Sequence, residues 1–203
     1  MPLKSSRLLT PELVPATTAR QSLRDLADSD PGQRRAAARA LGQSPEAVPA
    51  LLQTLDHEPT EAVRQAILDA LLTLGGPQVV SGLCARLAHS DAAVRSGVVE
   101  VLSMMPDAVA EHAEALLRDP DPNVRIMALD VLRDLSHPAV SQWLVQVLTH
   151  DTDANVLGTA VDRVSDLAEP SAIPALRALS DRTHDDFLRF AIDDVIARLT
   201  EIE

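Results

Sequence analysis

Carboxylate residues recur at nearly even spacing along this chain, and they are the residues most suited to recognition chemistry: Asp69, Glu100, Asp130, Asp162 and Asp194. Carboxylates repeated at one structural position attract a basic peptide, an Arg-rich helix or a cationic patch on another protein. The alternative is a solvated face in which each acid pairs with an arginine such as Arg133 or Arg163, because runs of charge usually serve solubility. We expect apolar residues beside four of these acids to be exposed and to supply the desolvated contact: Leu68, Val99, Leu129 and Val161.

The acids belong to a unit that repeats every 30 to 32 residues. Five residues before each acid lies a marker position, which one further copy near the N-terminus also carries: Arg34, Arg64, Arg95, Arg125, Leu157 and Arg189. Prolines keep a similar period at Pro45, Pro77, Pro106, Pro138 and Pro170. Periods of this length are typical of solenoids, in which no unit buries its apolar face alone.

Each repeat is predicted to form two antiparallel helices, called A and B. Helix A opens with a turn residue and a proline, which is favoured at the first helical position. Helix B follows an aspartate four residues before the marker, which is expected to cap the helix by accepting its free N–H groups. We predict an N-terminal extension over residues 1–16 and a single solenoid over 17–203, with helix pairs at about 17–42, 43–75, 76–104, 105–136, 137–168 and 169–200.

Histidine and cysteine do not form a recognisable site. The histidines lie in or near turns one repeat apart, which is too far for the convergence that a metal ion needs, so no metal site is expected. Cys84 is predicted to be a buried structural thiol, because apolar residues flank it at helical spacing. For Trp143, Phe187 and Phe190 the alternatives stay open: Trp143 is a core residue or a binding anchor, and the two phenylalanines fill the end of the solenoid or form a docking surface.

Composition and charge limit the function. The net charge is −12, with 30 acidic and 18 basic residues, and Lys occurs only at Lys4. Such a surface repels phosphate, so we expect neither nucleic acid nor an anionic membrane as a partner. A single cysteine and the lack of an apolar leader or an 18-residue apolar run favour a cytoplasmic location. The abundance of Ala, Arg, Asp and Leu suggests a bacterial source with a GC-rich genome.

The string Asp-x-x-Val-Arg-x-x-Ala, best matched at Asp91–Arg95 and Asp121–Arg125, resembles the HEAT repeat. The short Ala-rich form is most similar to the subgroup described in phycobilisome lyases. The resemblance implies an all-α fold, a right-handed α-α superhelix of about six antiparallel helix pairs, with the B helices on the concave face. It also implies a ladder of bonds between neighbouring repeats, formed by the helix-B arginines and the turn aspartates: Arg64, Arg95, Arg125, Asp91, Asp121 and Asp153.

The function expected from these features is a non-catalytic scaffold or adaptor for a protein with a basic surface, without a cofactor. HEAT proteins share a scaffold and no common chemistry. The alternative is an attachment factor or chaperone of the phycobilin-lyase type, for which three aromatic residues and one lysine offer a poor tetrapyrrole pocket. A HEAT-like DNA glycosylase is less favoured, because it needs a basic groove and aromatic residues.

Overall fold

The structure, a computed structural model, describes residues 16–201, and within that range every regular element is an α-helix or a short 3₁₀ turn. The all-α prediction is confirmed. The first helices run α1 Ala16–Asp25, α2 Pro31–Leu41, α3 Val48–Leu55, α4 Glu61–Leu74, α5 Gly76–Cys84 and α6 Ala92–Ser103. The remaining helices run α7 Pro106–Leu116, α8 Pro122–Arg133, α9 Val140–His150, α10 Ala154–Asp166, α11 Ile173–Arg182 and α12 Asp186–Thr200.

Odd-numbered and even-numbered helices pair as the predicted A and B helices. Each A helix contacts the B helix that follows it, from α1 with α2 to α11 with α12. The helix pairs lie within the predicted repeats apart from Ala16, which opens α1 one residue early. The rest of the predicted extension over 1–16 lies outside the described residues.

The described chain divides into two compact units, one ending at Leu74 and the other beginning at Gly75. The first contains α1–α4 and the second α5–α12. Gly75 and Gly76 at the boundary have φ angles of 59° and 82°, a backbone region that favours glycine over every other residue. In the second unit the B helices α6, α8, α10 and α12 pack in succession, so residues at equivalent positions follow one another from helix to helix.

The predicted aspartate caps are confirmed at five helices. In each, a carboxylate oxygen accepts a backbone N–H from the first turn of helix B, which satisfies a donor that has no partner within the helix. The capping residues are Asp30, Asp91, Asp121, Asp153 and Asp185.

Aliphatic side chains form the interior, with Leu and Val prominent among the fully buried residues. Trp143 is buried with 5% of its surface exposed, and its ring stacks on His137 at 5.1 Å between centroids. It is therefore a core residue. Phe187 and Phe190 are exposed instead, so these two side chains do not fill the interior of the last repeat.

Candidate protein-binding face on the second helices

The marker arginines hold the turn between helix A and helix B of their own repeat. One guanidinium nitrogen of Arg95 donates to the carbonyls of His89 and Ser90 at 2.6 and 3.0 Å. Arg34, Arg64 and Arg125 repeat this geometry, donating to the carbonyls six and five residues before them. The arginine thus satisfies carbonyls of the turn that follows helix A, which have no partner within either helix.

Two of these arginines also bridge to the following repeat. Arg34 forms a bidentate pair with Glu58 at 2.7 and 2.9 Å, and Arg125 forms one with Asp151 at 2.7 and 3.0 Å. Bonds between neighbouring repeats therefore exist, with a different acid from the one expected. The bonded carboxylates lie two residues before the helix-B cap position, at Glu58 and Asp151.

The predicted ladder needs correction for its other members. Asp91, Asp121 and Asp153 are used as helix caps, and their carboxylates accept from the backbone of their own repeat. Among the described residues, Arg64 and Arg95 form no ion pair and hold only the turn carbonyls. The repeated arginines chiefly donate hydrogen bonds to the carbonyls of the turn between helix A and helix B.

Leu157 breaks the arginine pattern in the fifth repeat, and a residue of the sixth repeat compensates. Leu157 is buried in the core. The guanidinium of Arg182 donates to the carbonyls of Leu148 and Thr149 at 2.7 and 2.8 Å, with a longer contact to that of Asp151. The turn therefore keeps its cation, supplied from the end of α11.

The bridged carboxylates are shifted toward the ionised form. Hydrogen bonds from Arg34 hold the pKa of Glu58 below its ordinary value, against the opposing effect of burial. For Asp151, burial acts to raise the pKa, but hydrogen bonds from Arg125 and the backbone N–H of Asp153 outweigh it and lower the pKa. Both acids consequently stabilise the fold in their charged form.

The five recurring acids differ in their surroundings. Asp69, on α4 in the first unit, is exposed and accepts from the Gln65 side chain at 2.9 Å. Asp194 is exposed and pairs with Arg198 at 3.0 Å. Glu100 and Asp162 are exposed, and within the described chain they have no ion pair or side-chain hydrogen bond.

Asp130 is the half-buried member of this set. Burial raises its pKa, and the Arg163 guanidinium at 3.6 Å opposes that effect. The solvated-face alternative, with every acid paired to an arginine, thus describes Asp130 and Asp194 but not Glu100 or Asp162. Unpaired carboxylates are the ones that an incoming cation reaches without displacing an existing partner.

The expected exposure of the neighbouring apolar residues is wrong at three positions. Leu68, Leu129 and Val161 are buried in the core. Adjacent helical residues point about 100° apart, so a residue beside an exposed acid turns toward the packed side of the helix. Val99 is half-buried and keeps part of its surface accessible.

A groove of about 440 Å³ opens beside Val99, on the exposed side of α6 and α8. Glu100 borders it from α6, and Asp130 and Asp134 border it from the end of α8. Exposed Met104 adds a second apolar surface. Apolar surface next to carboxylates suits a lysine or arginine side chain, whose aliphatic stem and cationic head need these two environments.

Cys84 does not border this groove. Burial raises the pKa of the Cys84 thiol to about 11, in agreement with a structural thiol, although the residue is half-buried rather than enclosed. No group of three or more His, Cys, Asp or Glu residues in residues 16–201 is placed to hold a metal ion. None of the helices in that range has the length and apolar content to cross a membrane.

Comparison with known proteins identifies the repeat. The family model for HEAT repeats matches residues 18–103 and 109–197, which is most of the chain. No curated protein matches this sequence.

A solved structure supports the fold. It is a chain from a structure of tubulin recruitment and assembly by microtubule polymerases with tumor overexpressed gene domain arrays. Its sequence is 12% identical to the present chain, and the TM-score is 0.62. The match covers 95% of the present chain and 48% of the other, so the present chain spans about half its length. At this identity the likeness shows the fold alone, a HEAT-like solenoid.

Two other similar structures come from microbial proteins. A HEAT-like repeat protein from the archaeon Thermococcus onnurineus NA1 has 15% identity and a TM-score of 0.45, with 91% of this chain and 87% of that chain covered. The complex of CpcE and CpcF of phycocyanin lyase from Nostoc sp. PCC7120 has 19% identity and a TM-score of 0.38, with 97% and 100% covered. The fold assignment rests on the family match and the preceding structure.

Proposed function

The chain belongs to the HEAT-repeat family, and on that basis we propose that it is a non-catalytic scaffold that binds a basic segment of another protein along its B helices. Solenoids of stacked repeats offer extended surfaces suited to holding protein partners. Recognition here rests on shape and charge, and it requires no cofactor.

The groove beside Val99 is the observation that carries this proposal. It combines apolar surface from Val99 and Met104 with the carboxylates of Glu100, Asp130 and Asp134. Arg133, which also borders the groove, pairs with Asp134 at 3.3 Å. Glu100 forms no ion pair within residues 16–201, so an added cation could bind it without displacing a partner. An arginine or lysine of the partner would place its stem on the apolar surface and its charge beside Glu100.

Acids on the following B helices would extend the contact beyond one side chain. Asp162 and Asp194 occupy the equivalent position on α10 and α12, which pack in succession beside α8. A partner segment with several basic residues would therefore meet several carboxylates. Charge complementarity of this kind accelerates association and selects against acidic partners.

Peptide selection tests the proposal on the full chain, because a random library contains basic, acidic and apolar segments alike. A phage-displayed library of random 16-residue peptides is selected on the protein, and enriched peptides are synthesised for fluorescence anisotropy. We expect enrichment of Arg and Lys. The charge-removing variant Glu100→Gln/Asp130→Asn/Asp162→Asn should bind these peptides about tenfold or more weakly, because several close charge interactions are lost.

A matched variant controls for net charge. Glu111→Gln/Glu114→Gln/Asp181→Asn removes three negative charges from exposed positions on the A helices α7 and α11. It should bind the peptides with nearly wild-type affinity. Equal losses in the two variants, or enrichment of peptides without basic residues, would contradict recognition by the helix-B acids.

A further inference from the structure

Two phenylalanines on the last helix are the most exposed large apolar side chains in the part of the chain that the structure describes. Phe187 and Phe190 have 82% and 72% of their surfaces exposed, the highest values among the large apolar side chains in residues 16–201. They lie three residues apart on α12, so they share one side of the helix, and Asp194 follows at helical spacing on that side. The pair therefore continues the line on which the helix-B acids lie.

Equivalent positions on the preceding B helix, α10, carry much smaller side chains. The repeat register aligns Phe187 with Asn155 and Phe190 with Gly158. A Cβ atom added at Gly158 would meet nothing within 4 Å, so the surface at this point of α10 is open. Because α10 and α12 pack together, two large aromatic groups border a helix whose matching position has no side chain.

The charges around these phenylalanines restrict what covers them. Asp162, Asp193 and Asp194 are exposed on the two helices, and Asp186 precedes Phe187. Arg189 and Arg198 are each engaged by an acid of α12, at 2.9 and 3.0 Å. A second copy of this chain, with its net charge of −12, would bring like charges together. A cationic segment with apolar side chains would match both the charge and the exposed rings.

We propose that Phe187 and Phe190 anchor a basic segment of a partner protein, whose large apolar side chain packs on the two rings and over the open surface at Gly158. The basic residues of the same segment face Asp162 and Asp194. This inference rests on the proposed function and specifies its partner: basic residues alone do not suffice, and at least one Leu, Ile, Met or aromatic side chain must lie among them.

Two variants of the full chain test this anchor from opposite directions. Phe187→Ser/Phe190→Ser removes the apolar surface, and Gly158→Leu fills the open space without meeting another atom at its Cβ. The probes are peptides enriched from a random 16-residue phage library on the wild-type chain. We expect the peptides to combine basic and large apolar residues, and each variant to weaken their binding about tenfold or more, as truncation or blocking of an aromatic anchor does.

Controls separate this inference from the proposed function. Ala178→Leu adds the same side chain at an exposed position of the A helix α11 and should leave binding unchanged. Circular dichroism should show wild-type helicity in every variant. If basic peptides lose affinity for the Glu100→Gln/Asp130→Asn/Asp162→Asn variant but bind both anchor variants normally, the anchor is wrong while the proposed function stands. If no basic peptides are enriched, both fail.

A second copy of the chain is the competing occupant. Sedimentation velocity at micromolar concentration should show a wild-type monomer. A dimer that Phe187→Ser/Phe190→Ser dissociates would assign the two rings to self-association and overturn the proposal.

Discussion

At the scale of single residues, the turn between the A and B helices depends on the residue six positions before the marker. Its carbonyl accepts from the marker arginine, and its side chain accepts the N–H of the cap position, as in Asp28, Glu58 and Asp119. Asp151, whose repeat has Leu157 at the marker, accepts the cap N–H in the same way, and its carbonyl accepts from Arg182. In Glu58 and Asp151 the same carboxylate also binds the arginine of the preceding repeat. One acid thus joins a turn, a helix start and a neighbouring repeat.

The sequence allowed the caps to be predicted but not these bridges. A cap is recognisable because its distance from the following helix is fixed. The bridge joins residues 24 or 26 positions apart, and the turn offers several acids at similar spacing. A carboxylate recurs six residues before the marker, at Asp28, Glu58, Asp119 and Asp151, and this position marks where a bridge can form; Glu58 and Asp151 use it, whereas Asp119 forms no ion pair with Arg95 in the described chain.

Glu58→Gln should lower the free energy of unfolding by about 2 kcal/mol, the scale of hydrogen bonds to a charged group. Glu58 has only 5% of its surface exposed, and its carboxylate accepts from both Arg34 and the Thr60 backbone. The amide keeps the shape but not the charge. Urea denaturation measures the loss. The exposed acid Glu46 provides the control, because Glu46→Gln should change stability by less than about 0.5 kcal/mol; an equal effect of both would refute the bridge.

Low pH should destabilise the protein by protonating two hydrogen-bonded carboxylates, Glu58 and Glu169. Hydrogen bonds, mainly from Arg34 for Glu58 and from Ser141 for Glu169, lower the pKa values of these acids in the fold. Their contribution is complete above the unfolded pKa and is lost as pH falls through the folded pKa. Urea titrations should therefore show stability falling below about pH 4.5. The decline should be shallower in Glu58→Gln; identical slopes would contradict the role of Glu58.

At the scale of helices, the regular pattern predicts which elements form, but it is less informative about which stripe of a B helix remains exposed. A B helix in the second unit packs against its own A helix and against neighbouring B helices. These contacts leave a narrow exposed stripe. The acids lie on it, whereas Leu129 and Val161, one position away, face the interior. Exposure thus depends on packing on several sides, which a single helix pattern does not contain.

Two glycines in helices should respond oppositely to alanine. Gly158 lies inside α10, where an added Cβ meets nothing, so Gly158→Ala should raise stability by about 0.5–1 kcal/mol through helix propensity. Gly76 also has open space, but its φ of 82° strains any other residue, so Gly76→Ala should lower stability by about 1 kcal/mol. Thermal and urea unfolding measure both. A gain in stability at both sites would show that available space, and not backbone conformation, decides the effect, and a loss at Gly158 would contradict the helix-propensity argument.

At the scale of the whole molecule, the period of the sequence is sufficient for the fold class, because the repeats share an apolar pattern and five of the six B helices share the aspartate cap. The proposed binding face depends on details that break the repeat. The compensation of Leu157 by Arg182, the open surface at Gly158 and the exposure of Phe187 arise from single substitutions in an otherwise regular scaffold. The repeats therefore explain the architecture, and their irregular residues are the basis for the proposed partner chemistry.

Recognition by charge is tested by the association rate of a selected basic peptide at increasing salt. Stopped-flow fluorescence would compare the wild type with the helix-B charge variant and the A-helix control variant between 20 and 500 mM NaCl, over which the Debye length falls from about 20 Å to about 4 Å. We expect a steep fall in rate for the wild type and the control, and a much flatter dependence for Glu100→Gln/Asp130→Asn/Asp162→Asn. Equal salt dependence in all three proteins would contradict recognition by the helix-B carboxylates.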